Sequence, residues 1–534
     1  MTAISAPQDN PFIGARPYDT GENSLFLGRN AEIRDLASLW KDNRLTILHS
    51  ASGAGKTSLL RAGVIPELRK HDKRPLPVGR TPSTRVWPTA ALPQHNPYLV
   101  GLLSSWEPGE MPARLTGLSL LDYLRRREIR DGHGVPTLVT IDQAETFLRP
   151  PTRHEQHARR FMEELFETVE ELPRLHLLLS VRTEHLDELS RLVKASGIAE
   201  PAEFELRPFS PETAADLVGQ LVVTRGHRPD QHHIVSVLDE LRTIRDEGDL
   251  IRNRLPTVDP ALLQVVGSHF WGDPAPVPTA GDVDAALLEF CASTLAEVAA
   301  DLGILPRTLD TWMRGADPAT GEISGPALHA PVVHALEDRY LVREGARVHA
   351  RLLAPMRRLD LSLWPAVSRN PRDRLSAAVE AGFAGEFDRA GKLLQDVART
   401  CPPGATRTRA EMESLLGNLA ATQDLLPEAE RHYETAAGLY EVLRDNSAVS
   451  WSLAALGRIA LRQGKRACAI EELRAAVSRA PHDLTVHTSL GEVLWKAGQP
   501  RAALSVLSGV VDREADVPGA RRLRHAILAD LEKG

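Results

Sequence analysis

The sequence has few cysteines and no long apolar run. Its three cysteines, Cys291, Cys401 and Cys468, are far apart and odd in number, which indicates a reducing compartment without a disulfide framework. No apolar stretch approaches the roughly 20 residues that are needed to cross a bilayer. The amino terminus lacks a basic segment followed by an apolar one, so we predict no signal peptide. We therefore expect a cytoplasmic protein without a membrane partner.

An excess of charge of one sign is also missing. The 534 residues include 64 basic and 71 acidic side chains, for a net charge of −7. Such a balance does not favour non-specific binding to nucleic acid or to an acidic membrane surface. The apolar fraction of 42% is sufficient for hydrophobic cores. At about 100–200 residues per domain, this length indicates three or four domains.

A glycine-rich loop follows an apolar run in the stretch LTILHSASGAGKTSLLRAG, residues 45–63. The order strand, loop, helix is the context that a phosphate-binding loop requires. Gly53 and Gly55 allow backbone N–H groups to face a phosphate, and the helix amino terminus adds its positive dipole end. Lys56 is placed to reach the β- and γ-phosphates, and Thr57 to ligate Mg²⁺. The predicted nucleotide-binding residues of this loop are Ser50, Ser52, Gly53, Ala54, Gly55, Lys56, Thr57 and Ser58.

Ser50 departs from the pattern GxxxxGK[ST], which has glycine at that position. The alternative interpretation is a turn rich in glycine and serine that happens to contain a lysine. The flanking strand and helix, and the acidic motif described next, favour the phosphate loop.

Candidate catalytic residues follow two further predicted strands. The apolar run in PTLVTIDQAETFL ends at Asp142, our candidate for holding Mg²⁺ together with Thr57. Gln143 can orient a water molecule but is not a base, and the nearest acid is Glu145, so we expect slow hydrolysis. Arg182 ends the run LHLLLSVR at the edge that faces the γ-phosphate and is a candidate sensor. Its alternative role is a surface ion pair with Glu184 or Asp187.

The order of these motifs resembles the STAND class of P-loop NTPases, in particular bacterial STAND proteins joined to repeat domains. The resemblance covers residues 8–365. It rests on NPFIGARPYDTGENSLFLGRNAEI, SASGAGKTSL, IDQAET, LLSVRTE, LPTVDPALLQVVGSHFW and VHARLLAPMRR. It implies an α/β fold with a parallel sheet, followed by helical and winged-helix domains. It also implies that Arg29, in a Gly-Arg pair, lies beside the nucleotide.

The resemblance assigns two further residues to nucleotide binding. His349 matches a winged-helix histidine that contacts the β-phosphate of ADP and locks a closed state. Pro256 matches a proline that packs near the adenine. The alternatives are an ordinary surface histidine and a simple turn. Ala350 stands where the family has aspartate, and Ala144 and Thr146 also depart from its pattern.

The carboxy-terminal part, from about residue 370, becomes rich in alanine and leucine with helical spacing. Gly457 and Gly491 hold equivalent positions, separated by the 34-residue period of tetratricopeptide repeats, and Gly417 begins an earlier copy. We predict an all-α solenoid, which is stabilised by the stacking of successive repeats and whose concave face binds a protein or peptide. A generic helical bundle is the alternative.

We therefore predict a multidomain ATP/ADP-dependent switch with slow ATPase activity, Mg²⁺ as cofactor, nucleotide-dependent self-assembly and an effector that acts in trans. The expected setting is bacterial defence, regulated death or a regulatory pathway, with no nucleic-acid partner. Two alternatives stay open: a repeat scaffold on a weak or silent NTPase fold, and a DNA-binding transcriptional regulator. The predicted domains are a lead at 1–43, the NTPase at 44–222, a helical domain at 223–280, a winged helix at 281–368 and the repeats at 369–534.

Overall fold

The chain forms two compact units. The first comprises residues 1–78, 131–148 and 173–367, and the second comprises residues 79–130, 149–172 and 368–534. The computed structural model describes residues 10–71, 74–81, 95–107, 115, 118–131, 136–150, 154–198, 200–224, 228, 230–245, 251–270, 280–302, 309, 316, 323, 333, 336–337, 339–343, 347–357, 371–402, 404–513 and 518–533.

A parallel four-stranded sheet organises the first unit. Its strands lie in the order β2-β3-β1-β4, so the chain places β3 between the two strands that precede it. The strands β1, β2 and β3 are buried along most of their length, as expected for parallel strands that are covered on both faces, whereas β4 at the edge alternates half-buried and exposed residues. Two short antiparallel pairs, β5-β6 and β7-β8, follow. The strand bounds are β1 Leu45–Ser50, β2 Thr137–Ile141, β3 Leu175–Arg182, β4 Ala202–Glu205, β5 Thr243–Arg245, β6 Ile251–Arg254, β7 Val342–Arg343 and β8 Arg347–Val348.

Helices form most of the remaining regular structure. In chain order they are α1 Asn30–Asp42, α2 Lys56–Ser58, α3 Ile65–Lys70, α4 Pro97–Trp106, α5 Leu120–Asp131, α6 Glu145–Leu148, α7 Glu155–Glu171, α8 Leu186–Ala195, α9 Pro211–Thr224, α10 Gln231–Arg242, α11 Pro260–Phe270, α12 Ala280–Leu302, α13 Leu353–Arg357, α14 Pro371–Ala384, α15 Phe387–Thr400, α16 Thr406–Thr422, α17 Leu426–Val442, α18 Asn446–Arg462, α19 Arg466–Arg479, α20 Leu484–Lys496, α21 Pro500–Arg513 and α22 Pro518–Lys533. A π-helical turn, Leu59–Val64, joins α2 to α3.

Two apolar cores are seen among the described residues of the first unit. One packs α1 and the helix that follows the phosphate loop against the sheet, with Trp40, Leu48 and Leu60 fully buried. The indole N–H of Trp40 donates to the carbonyl of His176 at 3.0 Å, which fastens α1 to β3. The other core joins α9 to α12 with the β7-β8 pair. Much of the predicted winged-helix domain lies outside the described residues, so that assignment stays a prediction.

The repeat region of the second unit is an all-α solenoid, as predicted. The helices α16 and α17, α18 and α19, and α20 and α21 pack as successive pairs. In each pair the second helix contacts the first at a glycine of the first helix. A Cβ atom on Gly417 would lie 2.8 Å from the Tyr433 ring, and one on Gly491 would lie 2.7 Å from Leu507. The small positions found in the sequence are therefore points of close helix contact.

No helix in the described part of the chain is both long and apolar enough to span a membrane.

A matched pair of glycine variants tests the close contacts of the solenoid. We expect Gly457→Ala to destabilise the repeats by about 1–3 kcal/mol, because its Cβ would overpack the helix pair. That atom would lie 2.9 Å from the carbonyl oxygen of Ala469. Gly509→Ala meets open space within α21 and should instead stabilise by about 0.5–1 kcal/mol, since alanine is the better helix former. Hydrogen exchange of α18, α19 and α21 in the full chain measures both, and equal changes would contradict the packing argument.

Candidate nucleotide-binding site

The phosphate loop lies at the carboxyl end of β1. Gly53 and Gly55 adopt φ values of +82° and +98°, in the left-handed region that glycine enters without strain. Gly55 precedes Lys56 as the N-cap of α2, so the amino end of the helix opens onto the loop. Backbone N–H groups at such a turn form an anion-binding concavity.

The loop is one wall of an open cleft of about 1110 Å³. The sheet contributes the ends of β2 and β3, and further walls come from the amino-terminal segment, from α11 and from Tyr340. The lining residues include Ser52, Gly53, Ala54, Gly55, Lys56, Thr57, Ser58, Asp142, Gln143, Glu145 and Arg182 from the predicted set, together with Arg29.

The ammonium group of Lys56 contacts the beginning of its own loop. It donates to the carbonyl oxygen of Ser50 at 3.1 Å and to the Ser50 hydroxyl at 3.0 Å. Burial lowers the pKa of Lys56, although the nearby carboxylates of Glu145 and Asp142 oppose that shift. Ser50 itself is buried and bonds the ammonium where the usual glycine has no side chain.

Thr57 and Asp142 meet across the cleft. The Thr57 hydroxyl donates to Oδ2 of Asp142 at 2.7 Å, although 85 residues separate them in the chain. A hydroxyl and a carboxylate are oxygen ligands of the kind that Mg²⁺ takes, with phosphates and water completing its shell. In the described ranges no group of three or more His, Cys, Asp or Glu side chains could hold a metal. The oxygen chemistry of the Thr57–Asp142 pair fits a Mg²⁺ ion that a nucleotide would share.

Gln143 follows Asp142 in a strained conformation. Its φ of +59° lies in the left-handed region, which costs a residue with a Cβ about 1–2 kcal/mol. The next amide, Ala144, donates to the carbonyl of Ser180 at 2.9 Å, which ties the turn to β3. The turn lets Asp142 and Gln143 both line the cleft. Such strain is concentrated at functional sites.

Arg182 carries the positive charge at the end of β3. Its guanidinium lies 3.3 Å from Glu145, 4.0 Å from Glu184 and 3.3 Å from Glu337. Burial raises the pKa of Glu145, while the Arg182 and Lys56 charges oppose this shift. Arg182 therefore lines the cleft and also forms the ion pair with Glu184 that the sequence suggested as its alternative role.

The amino-terminal segment forms the opposite wall. The side chain of Gln264, on α11, accepts a hydrogen bond from the amide of Ile13 and donates one to the Tyr18 hydroxyl, both at 2.9 Å. The amide of Tyr18 donates to the Ser58 hydroxyl at 3.2 Å. Ser58 thus contacts the amino-terminal segment through its side chain. These bonds fasten the segment to α11 and to the phosphate-loop helix at once.

Arg29 also lines the cleft on this side. Its guanidinium donates to Glu32 and to the carbonyl of Arg207, each at 2.7 Å, and lies 3.9 Å from the centroid of the Phe209 ring. The side chain is 5% exposed, so these partners hold it almost wholly away from water. Its contact with a nucleotide stays a prediction.

Three predicted residues, Ser50, Pro256 and His349, are not among the residues that line the cleft. Pro256 is exposed and lies outside the lining, which contains Pro260 instead. His349 is buried, with Nε2 3.3 Å from Asp259 and with Nδ1 accepting the Arg351 amide at 3.2 Å. Both ring nitrogens are thereby engaged within the protein. The contacts of Pro256 and His349 with a nucleotide stay predictions.

Several lining residues were missed by sequence reasoning. Tyr18, Phe209, Gln264 and Tyr340 line the cleft, and Glu337 pairs with Arg182. They come from segments that are distant in the chain, and no local motif marks them. The quoted stretches NPFIGARPY and LPTVDPALLQVV contain two of them, but nothing in the spacing of these stretches shows that they meet.

Residues 11–269 match the family Novel STAND NTPase 1. This segment is a STAND NTPase. The resemblance predicted from the motifs is confirmed for it, and the α/β sheet with its phosphate loop agrees with that class. Nucleotide binding follows from the class, while the identity of the metal is a proposal.

Solved structures give weaker matches to this chain. A Walker-type ATPase of Pyrococcus abyssi has 16% identity and a TM-score of 0.42, covering 64% of this chain and 98% of that chain. A STAND protein with a tetratricopeptide repeat sensor from Pyrococcus horikoshii has 13% identity and a TM-score of 0.29, covering 98% and 81%. The ORC1 protein of Aeropyrum pernix, solved with DNA, has 14% identity and a TM-score of 0.35, covering 70% and 94%.

A comparison with curated proteins finds no match.

The buried carboxyl of Glu145 should make the stability of the first unit depend on pH. Its folded pKa is raised, so the folded state holds the proton more tightly and loses stability as the pH rises above about 4.5. We expect Glu145→Gln to raise the unfolding temperature at pH 7, and this gain should vanish near pH 4, where the carboxyl is protonated in both states.

Glu67→Gln is the control of opposite sign. A hydrogen bond from Lys70 lowers the pKa of Glu67, so its carboxylate stabilises the fold at neutral pH and loses that effect as the pH falls. Unfolding temperatures measured between pH 4 and pH 7 test both variants. A gain for Glu145→Gln that is equal at all pH values would contradict the buried-carboxyl account.

Proposed function

We propose that the protein is an ATP/ADP-dependent signalling switch with slow hydrolysis. The observation that carries this proposal is the convergence of Lys56, the Thr57–Asp142 pair and Arg182 on one cleft, beside Glu337 and Tyr340 from a remote part of the chain. A site built in this way changes its contacts with the remote segment when the bound nucleotide changes. A ligand shifts such an equilibrium only by its different affinity for the two states.

The residues of the cleft divide the chemistry between them. The loop amides and Lys56 bind the phosphates, and Thr57 with Asp142 would hold Mg²⁺, which supplies charge neutralisation. In hydrolysis a water oxygen bonds to the γ-phosphorus, the bond between that phosphorus and the bridging oxygen breaks, and ADP and phosphate leave. Gln143 would orient the water, and Glu145 would accept its proton. Because Glu145 is already engaged by Arg182 at 3.3 Å, turnover is slow.

The repeats supply the input in this proposal. Tetratricopeptide-type solenoids bind proteins or peptides on their concave face, and ligand binding there biases the nucleotide state. The ATP form then assembles with further copies and engages an effector in trans, in a defence, regulated-death or regulatory pathway of the cytoplasm. The support is the all-α solenoid together with the STAND NTPase in one chain.

A scaffold with a silent NTPase fold is the second candidate. The observation that favours it is the contact between Lys56 and Ser50, because the serine hydroxyl takes a hydrogen bond that a phosphate would otherwise receive. Under this alternative the repeats bind their partners independently of nucleotide.

The lysine of the phosphate loop separates the two candidates. We expect gently purified protein to release stoichiometric ADP on denaturation. Lys56→Ala should weaken ATP binding by about a hundredfold, as expected for the loss of a buried charge partner. Chromatography of the released nucleotide and titration with a fluorescent ATP analogue measure these effects. Lys70→Ala is the matched control, because its ammonium is exposed and pairs with Glu67.

The two outcomes exclude each other. ATP-dependent assembly that is lost in Lys56→Ala and kept in Lys70→Ala supports the switch. Absence of nucleotide binding in the unaltered protein, with partners captured equally by Lys56→Ala, would leave the scaffold.

A further inference from the structure

Two side chains from one remote segment reach the catalytic edge of the sheet. Glu337 lies 3.3 Å from the Arg182 guanidinium. The ring of Tyr340 lies over Gly53, such that a Cβ on that glycine would be 3.3 Å from Cδ1 of the ring. Neither residue belongs to a motif of the phosphate site, and both lie more than 150 positions after the end of β3. One segment thus contacts both the sensor arginine and the phosphate loop.

The charges around Arg182 leave little attraction for another anion. Its guanidinium is shared among Glu145, Glu184 and Glu337, whose side chains are 16%, 12% and 10% exposed. Solvent and salt weakly screen ion pairs between side chains that are buried to this extent. A γ-phosphate brings additional negative charge to this edge and must compete for Arg182. ADP lacks the γ-phosphate, and the loop amides and Lys56 would bind its two phosphates.

The backbone at Tyr340 adds an independent observation. The Tyr340 amide bonds to the carbonyl of Glu337 at 3.1 Å and the Leu341 amide to that of Leu336 at 3.0 Å, which is the hydrogen-bond pattern of a Schellman helix end. Tyr340 occupies the left-handed position of that motif with φ of +62°, where glycine is usual. A tyrosine there costs about 1–2 kcal/mol. The strain is retained at a residue whose ring covers the phosphate loop, which points to a functional contact.

We propose that Glu337 and Tyr340 determine the nucleotide preference of the site, selecting ADP over ATP. Glu337 pairs with Arg182 and so engages the cation that would otherwise bind the γ-phosphate. The Tyr340 ring packs next to Gly53 of the phosphate loop. Binding of ATP must displace Glu337 and with it the segment that carries Tyr340. This inference rests on the proposed nucleotide switch and names the residues that set its selectivity.

The test compares two carboxylates that face the same arginine. Glu337→Gln removes one charge from the remote segment, and Glu184→Gln removes the same charge from the 3₁₀ turn Thr183–His185 that directly follows β3. We expect Glu337→Gln to strengthen ATP binding about tenfold, with less than a twofold change for ADP, in line with typical coupling energies. Glu184 lies farther from Arg182, at 4.0 Å, and its variant should change the ATP-to-ADP ratio much less.

A second variant keeps the test independent of Arg182. Tyr340→Gly introduces the residue that the helix end favours and removes the whole side chain, ring included, so the fold is expected to persist. It should also shift the preference toward ATP. Titration of each full-length protein with fluorescent ATP and ADP analogues in Mg²⁺, and sedimentation with each nucleotide, measure affinity and assembly.

The possible failures are distinguishable. If the unaltered protein binds neither nucleotide, the proposed switch itself fails. If it binds both and Glu337→Gln and Tyr340→Gly leave the ATP-to-ADP ratio unchanged, the switch stands and the selectivity proposal is overturned. Equal effects of Glu337→Gln and Glu184→Gln would likewise overturn it, since general charge would then account for the result.

Discussion

The parallel pairing of β3 with both β1 and β2 is the interaction on which the candidate site depends. It sets Ser50 opposite Arg182 and Ile141 opposite Leu179, so the phosphate loop, Asp142 and the arginine emerge at one edge of the sheet. The bond from the Ala144 amide to Ser180 holds the turn after β2 against the same central strand.

Charge compensation in a weakly screened space is the second organising constraint. Lys56 and Arg182 share the cleft with Asp142, Glu145 and, through Arg182, Glu337. The carboxylates keep both cations stabilised when no phosphate is near, and burial raises the pKa of Glu145 as part of the same balance. A site in this condition is suited to recognising a change of one phosphate group, because each added charge must displace an existing partner.

The first unit also shows how distant segments are joined around the cleft. Gln264 uses both ends of its amide on the amino-terminal segment, and Phe12 packs so closely on Gly267 that a Cβ there would lie 2.4 Å from the ring. Buried Arg351, paired with Asp284 at 2.5 Å, anchors the turn that carries His349. These contacts join residues that precede the sheet in the chain to α11, and residues that follow the sheet to α12. The walls of the cleft therefore come from segments throughout the first unit.

The local elements of this protein could be predicted from its sequence. The order of strand, Gly-rich loop and helix located Gly53, Lys56 and Thr57, the apolar runs ended at Asp142 and Arg182, and Gly417, Gly457 and Gly491 marked the helix contacts of the solenoid. Such features depend on short-range periodicity and backbone freedom, which a single sequence displays. Only the tertiary structure decided the order of the strands, the pairing of Glu337 with Arg182, the covering of Gly53 by Tyr340 and the burial of His349 against Asp259. Those contacts join residues tens to hundreds of positions apart, and their energy depends on burial and partner charge, which no local pattern records.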